Sequence, residues 1–171
     1  MRRLFIVVCV LSAAIGSADA QQSRERLEGF GGVHFGTSLA EVKRILGANA
    51  KEDETARKGG GKLKVLEVEQ TFADEAYLVR YIFGSNGALI RVGLSHKDLT
   101  GGKDQAACLR EGKALQMLRR QYGASDGVES SEIFRSHVFA FKDGNAIKVV
   151  NMFVGGCVAG ISFHTPQGLK E

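Results

Sequence analysis

Tyr77-Leu78-Val79-Arg80-Tyr81-Ile82-Phe83-Gly84-Ser85-Asn86-Gly87-Ala88-Leu89-Ile90-Arg91-Val92-Gly93-Leu94 is the stretch that decides the fold class. Two runs rich in β-branched and aromatic residues, Tyr77 to Phe83 and Leu89 to Leu94, flank Asn86-Gly87. Both turn residues tolerate the positive φ of a two-residue hairpin turn. Pairing across that turn puts Val79, Tyr81 and Phe83 on one face with Ile90, Val92 and Leu94, and sends Arg80 and Arg91 to the other. The first set names an inner face that packs on a core. The opposite face carries Leu78, Arg80, Ile82, Leu89 and Arg91. Apolar residues flanked by arginine suit protein contact, so these five are the candidate interaction face.

The same pattern recurs downstream. Ser136 to Lys142 and Ala146 to Phe153 form a second hairpin around Asp143-Gly144-Asn145. Phe139-Ala140-Phe141 and Ile147-Lys148-Val149 repeat the apolar and basic positions of Tyr81-Ile82-Phe83 and Ile90-Arg91-Val92. This is the mark of a degenerate internal duplication, with units of about 29–98 and 99–166. Leu63 to Phe72 adds a strand before the first hairpin. Cys157 to Phe163 adds one after the second, with Cys157, Ala159, Ile161 and Phe163 on one face. Glu129 to Phe134 reads as a short strand or an extended lead-in.

Helix signals precede each set of strands. Ser38 and Glu41 make a capping box, Leu39, Val42, Ile45 and Leu46 share a stripe, and Gly47 supplies the stop. Asp104 to Tyr122 reads as a second helix with Cys108, Leu115, Leu118 and Tyr122 along one face, ended by Gly123. Ala48 to Lys62 reads as a charged loop ending in Gly59-Gly60-Gly61. Gln21 to Glu28 reads as a flexible arm, Gly29 to Gly36 as a short extended lead bounded by glycines, and 167–171 as a tail. The expected architecture is α+β: a single domain over 29–166, an antiparallel sheet with helices packed on one face.

The first twenty residues carry an address. Arg2 and Arg3 precede an apolar run from Phe5 to Ile15, and Ala18-Asp19-Ala20 gives the small–x–small pattern of signal-peptidase cleavage. The run falls short of the roughly 20 apolar residues that span a bilayer. The expectation is a cleaved signal peptide over 1–20 and a periplasmic protein. Cleavage removes Cys9 and leaves Cys108 and Cys157, an even pair in an oxidising compartment. Cys108 lies on the buried stripe of its helix and Cys157 on the apolar face of its strand, so one disulfide would staple helix to sheet. By loop-closure entropy it is worth on the order of 3–4 kcal/mol.

Phe35-Gly36-Thr37-Ser38-Leu39-Ala40-Glu41-Val42-Lys43-Arg44-Ile45-Leu46-Gly47 resembles the helix opener of small exported bacterial domains. These are the BamE (SmpA/OmlA) family and the β-lactamase-inhibitor-like proteins, which set helices against an antiparallel sheet, the latter in tandem repeat. The resemblance implies an interaction module without catalytic machinery and carries over no functional residue. The lipidated N-terminus of the BamE group is not matched here.

Other chemistry is thinly represented. His34, His96, His137 and His164 are never at i, i+2 or i, i+4 spacing, so no metal site is expected, and no cofactor. Lys58-Gly59-Gly60-Gly61-Lys62 precedes a strand and lacks the phosphate-loop ending, and Thr100-Gly101-Gly102-Lys103 is too short for a nucleotide. There is no G-x-S-x-G elbow, and no catalytic residue is assigned. The formal net charge of +4 is scattered, which excludes a nucleic-acid footprint, and no second apolar segment supports stable membrane insertion. The leading expectation is a periplasmic, non-catalytic interaction or binding module whose partner is another periplasmic or envelope protein, with oligomeric state left open. The alternatives are a small hydrolase and a carrier of a small apolar ligand. Buried acids or histidines in a cleft would favour the enzyme, an open apolar cavity the carrier, and a broad exposed sheet face the interaction module.

Overall fold

The opening hairpin forms, and it sits near the middle of an eight-stranded antiparallel sheet. The computed structural model describes residues 24–56 and 60–170. A small hairpin comes first, β1 (Gly29–Phe30) and β2 (Val33–His34), followed by helix α1 (Leu39–Leu46). The first meander is β3 (Lys51–Ala56), β4 (Lys62–Phe72), β5 (Glu75–Phe83) and β6 (Leu89–His96). Two short helices follow, α2 (Gln105–Leu109) and α3 (Lys113–Tyr122). The second meander is β7 (Gly127–Ser130), β8 (Phe134–Ala140), β9 (Ala146–Phe153) and β10 (Cys157–His164), and α4 (Pro166–Lys170) closes the described chain. The strand order is β3-β4-β5-β6-β10-β9-β8-β7, so the two meanders meet through their last strands. The α+β expectation holds.

The core lies between one sheet face and the helices. Val79, Tyr81, Val92, Leu94, Phe139, Ile147, Ile161 and Phe163 share it with Val42 of α1 and Leu115 and Leu118 of α3. α1 begins where its sequence says: Ser38 Oγ accepts the Glu41 N–H at 3.3 Å, and Gly47, at φ 74°, donates to the Lys43 carbonyl. α2 is tied to the sheet by the Cys108–Cys157 disulfide, with Cα atoms 5.5 Å apart. Both sulfurs are buried with Ala159 in a small cluster of their own, apart from Leu115 and Leu118 of α3, with which the expected helical stripe had grouped Cys108.

Several expectations need correction. Lys51–Ala56 is an edge strand, not part of a loop. Its residues Lys51-Glu52-Asp53-Glu54-Thr55-Ala56 show no apolar alternation, because the strand is held by main-chain pairing and by ions such as Glu54 with Lys62 and Lys64. Charged edges of this kind discourage further strand addition. The helix over Asp104–Tyr122 is broken at 110–112. Asn151 Nδ2 donates to the carbonyls of Cys108 (2.8 Å) and Arg110 (3.4 Å), satisfying the end of α2 so that α3 can restart at Gly112.

Arg24–Glu28 is not a free arm. Arg24 donates to the Tyr122 carbonyl at 2.7 Å and stands over the Phe139 ring, while Leu27 is buried and donates its N–H to Asp143 at 3.0 Å. The remaining arm residues and the predicted leader, 1–23, lie outside the described residues. The C-terminal tail folds as α4. A Cβ on Gly168 would lie 2.4 Å from the Ile90 carbonyl oxygen, so only glycine allows that contact.

The hairpin turn is also longer than two residues. Gly87 donates to the Gly84 carbonyl and Gly84 to the Ala88 carbonyl, with Gly87 at φ 76°. A bulge between Ile82 and Phe83 then pairs Phe83 with Leu89. The extra residue shifts the start of β6, so Leu89, not Ile90, joins the core.

Candidate functional site

The sheet face opposite α1, α2 and α3 is the outer face. Of the five residues expected there, Leu78, Arg80, Ile82 and Arg91 are on it, brought together across β5 and β6. Leu89 is not. The bulge turns it inward, where it is 1% exposed and packs with Val42 and Tyr81 in the main cluster. Ile82 is buried with Leu63 and Val65 in a small separate cluster. Arg80 is neutralised within the sheet by Glu67 on β4 and, at 3.5 Å, by Asp53 on β3. Arg91 is half-buried and lies directly across from His164.

The second meander continues this face with residues the sequence reading had not assigned. Phe134 pairs with Met152, and Met152 with Val158. Val150 lies on the same face one alternation further along and Val138 two. Phe134, Val138, Val150 and Met152 are part-exposed and Val158 is 50% exposed. The turns at that end add Ile133 and Val154, 48% and 67% exposed. The signal was present in the strand alternation, since Phe134, Ser136 and Val138 alternate with the inward Arg135, His137 and Phe139.

On the inner face, two histidines meet carboxylates beneath the break between α2 and α3. Leu99 N–H donates to His96 Nδ1 at 3.3 Å, which leaves the proton on Nε2, 3.7 Å from Glu75. Tyr77 Oη donates to the same Glu75 oxygen at 3.1 Å, and burial, followed by that carboxylate, pushes the phenol well above its ordinary range. At the other end Arg119 donates twice to Glu111, at 2.6 and 3.0 Å, holding the carboxyl below its ordinary value. His137 Nε2 is 3.8 Å from Glu111, and Ser125 Oγ is 3.5 Å from its Nδ1. Burial, then the nearby Arg119, lowers the His137 pKa below its ordinary value.

The space enclosed between these pairs is about 40 Å³, room for roughly three waters. A larger groove of about 530 Å³ opens where Phe30, Phe72 and Phe163 meet Leu118 and Tyr122 of α3. No family model, curated protein or solved structure matches this chain.

Proposed function

We propose that the chain is an exported, non-catalytic protein-interaction module that docks its partner, another periplasmic or envelope protein, on the outer sheet face. The observation that carries this reading is the part-exposed patch of Phe134, Val138, Val150, Met152 and Val158 on three adjacent strands. The other face is closed by helices, and a contiguous apolar surface on a rigid sheet is the form that protein docking sites take. A disulfide between Cys108 and Cys157 is compatible with export. Of the alternatives, the hydrolase draws support from buried His96 and His137 beside Glu75 and Glu111 around an enclosed space, and the carrier from the aromatic groove beside α3, which has the volume of a small-ligand site.

The resemblance to tandem helix-and-sheet inhibitors accords with this reading, and we read the two meanders as copies of one unit. Each follows a helix. Their hairpins close identically: Gly84 N–H to Ala88 O and Gly87 N–H to Gly84 O are matched by Phe141 N–H to Asn145 O and Gly144 N–H to Phe141 O. Gly93-Leu94-Ser95 on β6 and Gly160-Ile161-Ser162 on β10 pair about their central residues, Leu94 with Ile161.

Charge placed in the patch is the test. Val158→Arg and Met152→Glu, made together, are expected to abolish partner recovery after crosslinking in intact periplasm. Melting should change little, since exposed substitutions usually act within about 0.5 kcal/mol. Unchanged recovery by the double variant would sink the reading. Charge reversal at Arg80 is a poorer probe, because Glu67 and Asp53 depend on it.

A further inference from the structure

The middle of the outer face carries positive charge that no carboxylate among the described residues neutralises. Arg91 on β6 lies directly across from His164 on β10, and Lys148 on β9 lies directly across from Ser162, two residues from His164. Directly opposed side chains on one sheet face have Cβ atoms about 5 Å apart and diagonal ones about 7–8 Å, so His164 lies between Arg91, its direct opposite, and Lys148, its diagonal neighbour. Neither Arg91 nor Lys148 has a carboxylate partner among the described residues. Glu67 and Asp53, the acids on the neighbouring strands, are already engaged by Arg80.

His164 sharpens the contrast. It is 4% exposed, and its Nδ1 has no hydrogen-bond partner. Burial, then Arg91 and Lys148, lowers its pKa, while a hydrogen bond to the Thr165 backbone opposes them; the field of both cations therefore reaches the ring. Half-buried cations without a counter-charge are costly, and a protein ordinarily pairs them.

Beside this group the surface is open. Gly93 faces Ser162 across the β6–β10 pair, and a Cβ built on Gly93 would meet nothing within 4 Å. The Ser162 hydroxyl has no partner among the described residues, leaving a donor at the rim of that space. On the far side, Gly168 of α4 packs against the stem of Arg91, where an added Cβ would stand 3.3 Å from the Arg91 Cβ.

We propose that Arg91, Lys148 and His164, with the Ser162 hydroxyl, form a seat for one oxyanion, a phosphate or carboxylate group, above Gly93. Arg91 supplies a planar fork of donors, Lys148 a point charge and Ser162 a neutral donor. The seat does not depend on the docking reading, because a free anion would fill it with no partner present. The chemistry admits two sources: a phosphate-type dianion in solution, or a carboxylate such as an acidic side chain.

Titration of the protein with inorganic phosphate and, separately, with acetate tests this, followed by NMR of the Gly93 and Ser162 amides and the His164 ring. Saturable shifts confined to these groups are expected. Lys148→Ala should weaken binding about tenfold, the scale of one charge-assisted contact. Gly93→Leu is the sharper variant, since it keeps every charge and grows from a Cβ position that meets nothing within 4 Å, into the space between Arg80 and Ser162. It should abolish saturation while the melting temperature holds. Phosphate binding tighter than acetate assigns the seat to phosphate-type dianions; acetate binding as tightly or more tightly assigns it to carboxylates. Shifts that never saturate, or a Gly93→Leu protein that binds both anions as the parent does, overturn the proposal.

Discussion

His137 and His164 are the residues where the sheet takes a polar ring into surroundings that resist its charging. Burial lowers both pKa values, with Arg119 the next contributor at His137 and Arg91 at His164. Below the ordinary histidine value of 6.5 the folded state therefore protonates these rings less readily than the unfolded chain does. A depressed folded pKa contributes stability that is fully present above the unfolded value and is lost as pH falls toward the folded one. Denaturant unfolding measured from pH 7.5 to 5 should thus show falling stability, by at most about 1.4 kcal/mol per pH unit for each histidine. His137→Asn should flatten that slope, and an unchanged slope would show that the ring is not held neutral. Legibility at this scale was uneven. The face of His137 could be read from its alternation with Phe139, whereas the inward turn of Leu89 depended on a bulge opposite Phe83, which period-two counting cannot see.

Elements were legible where apolar periodicity made them and obscure where something else did. α1 and the strands β4, β5, β6, β8, β9 and β10 follow from capping and alternation. β3 did not, because main-chain pairing and ions form it with no apolar face. Nor did the break after α2, which a side chain from β9, Asn151, makes possible. Of the outer surface, four of the five expected residues are together, yet its most exposed apolar patch lies on the other meander. The staple could be read from the even cysteine pair and the alternation of β10, whereas the helical stripe joining Cys108 to Leu115 and Leu118 is interrupted by the break after α2. Five-residue α2 is too short to persist by helix propensity alone, and Cys108 is what fixes it to β10. Replacing both Cys108 and Cys157 by Ser should lower unfolding free energy by about 4 kcal/mol for a loop of this length. Guanidinium melts of parent and variant, with and without reductant, measure it. Equal midpoints under oxidising conditions would show that the bond adds no stability.

At the scale of the whole molecule, the two meanders share one sheet and one continuous core, joined along a single antiparallel pair of strands. The disulfide lies wholly within the second half, so no covalent bond other than the main chain between β6 and α2 holds the halves together. Co-expressed chains spanning 24–100 and 101–170 should therefore copurify as a one-to-one complex, detectable by light scattering after gel filtration. Halves that elute separately would mean that the connection, and not the seam, keeps them paired. The seam at Leu94 and Ile161 has a further consequence. A strand pair that nearly matches itself end for end does not distinguish strongly between its own partner and the equivalent strand of a neighbour. The short tether through 97–104 is what makes the intramolecular choice the faster one. Stiffening it would favour an exchanged pair of chains, with β6 of each completing the sheet of the other.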